Sequence, residues 1–165
     1  MNKDVILIQG VVEESLFDQL KARKIKDVFV LEGRPNLESA HRLSQGLLSR
    51  QITPTLISDN MAGFLFYKNM VKEVWLAYQL TDHNGALCDI GALIVGVLGK
   101  KHNIPVHLYP SARKTSFLGK EGDLTKFKNT RIAPKGIKSY VPLVEWLPQE
   151  YITKIHPPSL NCFRV

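Results

Sequence analysis

Short apolar runs alternate along this chain with segments whose apolar residues recur at helical spacing, a pattern that predicts successive βαβ units around a mostly parallel sheet. Val5 to Gln9 reads as a first strand, and Glu13 to Lys24 as a helix with Leu16, Phe17 and Leu20 on one face. Asp27 to Leu31 is the second strand. After Pro35, a helix over Leu37 to Arg50 carries Leu37, Ala40, Leu43 and Leu47 down one stripe. Thr55 to Ser58 is a short third strand, followed by a helix over Asn60 to Met70 with Asp59 as its expected N-cap. Glu73 to Leu80 is the fourth strand, and Thr81 to Gly85 reads as a loop. Ile90, Leu93, Ile94, Val97 and Leu98 then mark the most regular helix, and Pro105 to Tyr109 the fifth strand. From Pro110 to Lys135 the periodicity stops, in a polar, basic segment. A last strand is expected over Gly136 to Pro142, with the chain from Glu150 lying across the surface. The expected organisation is one α/β domain over 1–155, with helices on both sheet faces, and a tail over 156–165.

Composition narrows the class more than the chemistry. A chain of 165 residues, 44% hydrophobic and 22% charged, has room for one domain with a proper core. No segment approaches the roughly 18 consecutive apolar residues of a membrane span. The apolar Val5 to Ile8 is too short for a signal peptide. Cys88 and Cys162 make neither a metal spacing nor a disulfide framework, so a reducing, cytoplasmic setting with no metal or cofactor is expected. The net charge of +7 is concentrated between Lys100 and Lys138. It suits phosphate-bearing ligands, and it supports nucleic-acid binding on charge alone.

In an open parallel sheet, ligands bind beyond the carboxyl ends of the strands, and there the chain carries recognisable text. The second strand is followed by Glu32-Gly33-Arg34-Pro35 and the third by Ser58-Asp59-Asn60-Met61-Ala62-Gly63. Asn84-Gly85 and Ile90-Gly91 come later, then Arg131-Ile132-Ala133-Pro134-Lys135-Gly136 and Pro148-Gln149-Glu150-Tyr151-Ile152-Thr153. In this order and spacing they resemble the C-terminal domain of the methylthioribose-1-phosphate isomerase and initiation factor 2B family, which also includes ribose-1,5-bisphosphate isomerases. The resemblance runs from Val5 to Ile155. It implies a Rossmann-like sheet, a homodimer formed through this domain, and a site for a sugar phosphate or nucleotide.

Three departures bear on activity. The resemblance implies an N-terminal helical domain that supplies arginines to the phosphate site, and this chain is expected to lack it. The catalytic Cys that follows the family's first strand falls at Gln9-Gly10, with Gly10 in its place, and the catalytic Asp ending the fourth strand falls at Gln79. Aldose–ketose isomerisation needs groups that exchange protons near neutral pH, and neither glycine nor glutamine does so. The expectation is a domain that binds without the family's isomerisation. A protein-association module is the alternative, and an isomerase with a relocated base is another. For the last, the candidates are His83, beside Asp82, and Cys88, whose thiol a helix start would activate. The candidate ligand residues are Arg34, Asp59, Asn60, Gln79, Asp89, Arg113 and Lys114. Competing roles are an Arg34–Glu32 ion pair, capping by Asp59 and by Asp89, and a solvated loop around Ser111 to Lys114. Trp75 and Trp146 are expected in core or dimer contacts.

Overall fold

The computed structural model describes residues 5–158. Its strands are β1 Ile6–Gln9, β2 Val28–Leu31, β3 Pro54–Ile57, β4 Glu73–Asp82, β5 Gly85–Asp89, β6 Val106–Pro110, β7 Lys126–Phe127, β8 Thr130–Arg131, β9 Val144–Pro148 and β10 Lys154–Ile155. The α-helices are α1 Leu16–Ala22, α2 Glu38–Leu48, α3 Ala62–Tyr67 and α4 Ala92–His102. The main sheet runs β10-β6-β4-β1-β2-β3, with every pairing along that path parallel. The chain builds outward from β1 through β2 to β3, then crosses back to lay β4 on the other side of β1. That reversal creates a switch point between β1 and β4, where the connections diverge and leave a crevice.

Alternation along the strands supplies both faces of the core. Ile6, Ile8, Val28, Val30, Trp75 and Ala77 point to one side, against Phe17 and Leu20 of α1 and Leu43 and Leu47 of α2. Leu7, Leu31, Val74, Leu76, Val106 and Leu108 point to the other, against Leu65 and Phe66 of α3 and Ala92 and Val95 of α4. Trp75 is fully buried, as a core role requires. The expected α/β class, with a mostly parallel sheet covered on both faces, is the observed one.

Four local expectations are corrected. The segment after Leu80 is a hairpin: β4 continues to Asp82, turns through His83 and Asn84, and returns antiparallel as β5. β1 ends at Gln9, opposite Leu76, so the outer half of β4 lies beyond it and takes β5 as a partner. The strand expected over Gly136 to Pro142 lies further along, at β9, because β5 needs an edge partner and Val144–Pro148 supplies it antiparallel. Gly136 to Pro142 makes only a single bridge, Pro142 to Leu118.

Helix α4 is also rotated from the expected stripe. It buries Ala92, Val95, Gly96 and Gly99 and leaves Ile94 65% and Val97 41% exposed. A Cβ on Gly96 would stand 2.7 Å from a Leu147 methyl, so the glycines let the helix backbone settle directly onto the sheet. Finally, the chain after Glu150 does more than lie across the surface: it is stitched to the sheet edge. Residues Lys154–Ile155 pair with β6, and the His156 N–H donates to Leu108 O at 2.9 Å. Cys162 lies outside the described residues.

Candidate functional site

Four polar segments converge at the carboxyl edge beside the switch point. Gln9 ends β1, Gly33 and Arg34 follow β2, Asp89 ends β5, and Arg113 and Thr115 follow β6. With Ser39 of α2 they line a narrow cleft of about 20 Å³ that opens to solvent. That is room for about one water, so a larger ligand enters only as the Arg34 and Arg113 side chains move aside.

Charge is unevenly satisfied inside it. The Arg113 guanidinium, 17% exposed, contacts Glu38 of α2 through one terminal amine and stands 3.9 Å from Asp89 Oδ2 through the other. Its Nε is buried with no hydrogen-bond partner among the described residues, and so are Gln9 Oε1 and Gln79 Nε2. Buried polar atoms without partners are costly in a folded chain and occur where a ligand or water completes the set. Asp89 accepts from the Thr115 hydroxyl at 3.2 Å. Burial pushes its carboxyl above the usual range; Arg113 and the Thr115 hydrogen bond oppose that push, and Glu38 adds to it.

Gly10, where the resemblance leads one to expect a thiol, adopts φ +79°, and a Cβ there would stand 2.7 Å from Ala77 Cβ and 3.2 Å from Asp89 Oδ2. The backbone therefore excludes a side chain at this point, and Asp89 reaches the vacated space from β5. Gln79, where the resemblance leads one to expect a carboxylate, sits in a bulge of β4, and its side-chain carbonyl oxygen accepts from the Thr115 N–H at 2.8 Å. Gln9, which is 4% exposed, donates to Ile90 O at 2.7 Å.

The other candidates separate by position. Arg34 lines the cleft and lays its guanidinium over the Phe127 ring, 4.6 Å from the centroid, instead of turning to Glu32. Asp59 does not cap a helix with its side chain. Its carboxylate accepts from the Gly33 and Arg34 N–H groups at 2.9 and 2.8 Å, tying the loop after β3 to the loop after β2. Asn60 is exposed and accepts from the Ser58 hydroxyl at 2.7 Å. Lys114 is exposed and lies outside the cleft wall, and the Ser111 hydroxyl is turned to Val11 O.

Neither proposed substitute base reaches the cleft wall. His83 is exposed at the hairpin turn. Cys88 is completely buried in β5, before the helix starts, and burial aided by Asp89 and Glu145 pushes its thiol up, opposite to an activated nucleophile. Capping of α4 by Asp89 is likewise corrected. Glu145 of β9 does it, accepting from the Gly91 and Leu93 N–H groups at 2.7 and 2.9 Å. Glu38, Ser39, Thr115 and Glu145 carried no signal in sequence, since each acquires meaning only across elements. Among the described residues, no cluster of three or more potential metal ligands occurs, and no helix is long and apolar enough to cross a membrane.

A six-strand parallel path with a polar crevice at its switch point defines a Rossmann-like domain. The chain belongs to the initiation factor 2 subunit family, whose model matches residues 3–156. It is 31% identical over 140 residues to methylthioribose-1-phosphate isomerase of Acetivibrio thermocellus, covering 78% of this chain and 41% of that one. To the isomerase of the same name from Thermus thermophilus it is 27% identical over 158 residues, 88% of this chain and 48% of the other. The chain thus spans less than half the length of these relatives. Among solved structures, it is similar to translation initiation factor eIF-2B subunit delta from A. fulgidus, with TM-score 0.81, 22% identity, and coverage of 92% of this chain and 51% of that one. It is equally similar in fold to 5-methylthioribose 1-phosphate isomerase from Pyrococcus horikoshii, with TM-score 0.81 and 20% identity over 93% of this chain and 49% of the other.

Proposed function

We propose that this domain binds a sugar phosphate, or the ribose phosphate of a nucleotide, in the cleft at the β1–β4 switch point, without the isomerisation of its relatives. The observation that carries the reading is the cleft's composition. Two arginines, Arg34 and Arg113, face it, and the orphaned donor of Arg113 and acceptor of Gln9 border it. Guanidinium groups match phosphate geometry, and carboxamides match hydroxyls. A thiol and a carboxylate would each contribute about 10²–10⁴-fold as general acid and base. With Gly10 and Gln79 in those places, that route has no groups to run on. A free, buried Cys88 fits a reducing cytoplasm.

The test is a thermal-shift series with ribose phosphates, methylthioribose 1-phosphate and nucleoside monophosphates at millimolar concentration. A ligand present at 100 times its Kd stabilises by about 2.7 kcal/mol, a shift of several degrees for a domain of this size. No shift with any of them sinks the reading, and turnover of methylthioribose 1-phosphate sinks its inactive half.

A second reading, self-association as a homodimer, is favoured by one specific surface. Helices α3 and α4 pack together yet leave Phe64 53%, Tyr67 72% and Ile94 65% exposed. Large exposed apolar side chains on two packed helices are of the kind that contact surfaces use. A dimer in sedimentation velocity that dissociates in Tyr67→Glu supports it, and a monomeric parent chain at micromolar concentration removes it.

A further inference from the structure

We propose that Asp89 is a proton-operated gate on Arg113: Arg113 is the anion hook of the cleft, and a phosphate monoester captures it while Asp89 takes up a proton. This rests on the sugar-phosphate reading above and adds the regulation of that site.

The geometry is a competition for one guanidinium. Asp89 and Glu38 flank the Arg113 terminal amines from β5 and α2, and its Nε has no partner at all among the described residues. An incoming dianion therefore finds a cation already flanked by an acid on two sides, with its Nε–H still unpartnered among the described residues. The remaining surroundings of Asp89 decide which of its two neighbouring acids yields. β1 brings no charge, only Gln9 and the bare backbone of Gly10, whose missing Cβ would have stood 3.2 Å from Asp89 Oδ2. β4 brings neutral Gln79, and the loop after β6 brings neutral Thr115. β9 brings Glu145, which is committed to the N-terminus of α4. The loop after β2 brings Arg34 to the same cleft, with its guanidinium on Phe127. Glu38, by contrast, is 43% exposed, so water can carry its charge.

Asp89 is thus the acid that the site desolvates, and burial already favours its neutral form. When a phosphate draws Arg113 away, Asp89 loses its counter-charge and gains a negative neighbour. Both changes favour the protonated carboxyl. By linkage, anion affinity rises as pH falls through the interval between the carboxyl's values in complex and free protein, and it levels off below the lower one. A protonated Asp89 also becomes a donor, able to give its hydrogen bond to a ligand oxygen.

The experiment is titration calorimetry of the full chain with ribose 5-phosphate, in two buffers of different ionisation enthalpy, between pH 5 and 8. The phosphate itself titrates near pH ~6, so the comparison protein is Asp89→Asn, in which that contribution is unchanged. The expected result is proton uptake in the parent chain beyond that of Asp89→Asn, with Asp89→Asn binding several-fold more tightly at pH 7.5. Arg113→Ala is expected to bind at least about tenfold more weakly at every pH, the loss of a charge-assisted contact. Should Asp89→Asn fail to fold, inorganic sulfate, which does not titrate here, replaces the phosphate on the parent chain, and binding without proton uptake overturns the gate. Equal affinity and equal proton count in parent and Asp89→Asn also overturn it while the cleft reading stands. Weaker binding by Asp89→Asn overturns it too, because Asp89 would then grip the ligand as an anion. No binding of ribose 5-phosphate by the parent chain removes the cleft reading, and the gate with it.

Discussion

Two aspartates stand at the carboxyl edge of the same sheet and do opposite things. Asp59, after β3, accepts two backbone N–H groups at 2.9 and 2.8 Å, so its carboxylate completes the fold of the Gly33-Arg34 turn. Asp89, at the end of β5, has one side-chain hydrogen bond, at 3.2 Å, and a guanidinium at 3.9 Å. Around it, Gln9, Gln79 and Arg113 each leave a buried polar atom without a partner among the described residues. The lesson is that a polar residue after a strand end is not by its position a ligand residue. What distinguishes the two is whether the surrounding backbone has already used it.

The largest effect expected from perturbing this contrast is at Gly10. Gly10→Cys, which introduces the thiol that the resemblance leads one to expect there, meets a left-handed backbone and Ala77 Cβ at 2.7 Å. A loss of about 2–4 kcal/mol in urea unfolding, without gain of isomerase activity, is expected. Full stability in that variant would show that the backbone at β1 is not closed to a side chain. Next comes Asp59→Ala, which strands two N–H groups and is expected to cost about 1–3 kcal/mol. Ribose-phosphate affinity should fall only through loosening of the Arg34 turn, so an undiminished stability would erase the assigned structural role.

Glu145→Gln is expected to cost about 1 kcal/mol, since it keeps an acceptor at the α4 N-terminus but removes the charge that the helix dipole favours. The smallest change, and the one of opposite sign, is Asp89→Asn. Burial raises the folded carboxyl above its unfolded value of about 3.9. The parent chain's stability from this group is therefore complete below the unfolded value and lost as pH rises through the folded one. The variant should match the parent near pH 3 and be the more stable above that range, measured by Tm across pH. A less stable variant at neutral pH would mean that the carboxylate, not its neutral form, is what the fold wants.

Strand and helix order was legible because period 2 and period 3.6 are properties of neighbouring residues, and both depend on one face being buried. The parallel sheet and its two covered faces follow from that alone. The hairpin of β4 and β5 was less legible, although Asn84-Gly85 is a turn signal, because Thr81 and Asp82 are polar and exposed and carry no strand alternation. The rotation of α4 was hidden for a different reason. Gly96 and Gly99 look like weak points in a helix, and only contact with Leu147 and Val106 turns them into its buried face.

Taken by itself, the sequence determined the fold class, the family and the absence of a thiol and a carboxylate at Gly10 and Gln79, because each is written in local order and residue type. Only the tertiary structure decided which acids and bases share a cleft. Asp89, Glu38, Arg113 and Thr115 come from three separate elements, and their electrostatics depend on distances between those elements and on removal from water. Neither quantity exists along the chain, and both appear only when the sheet closes.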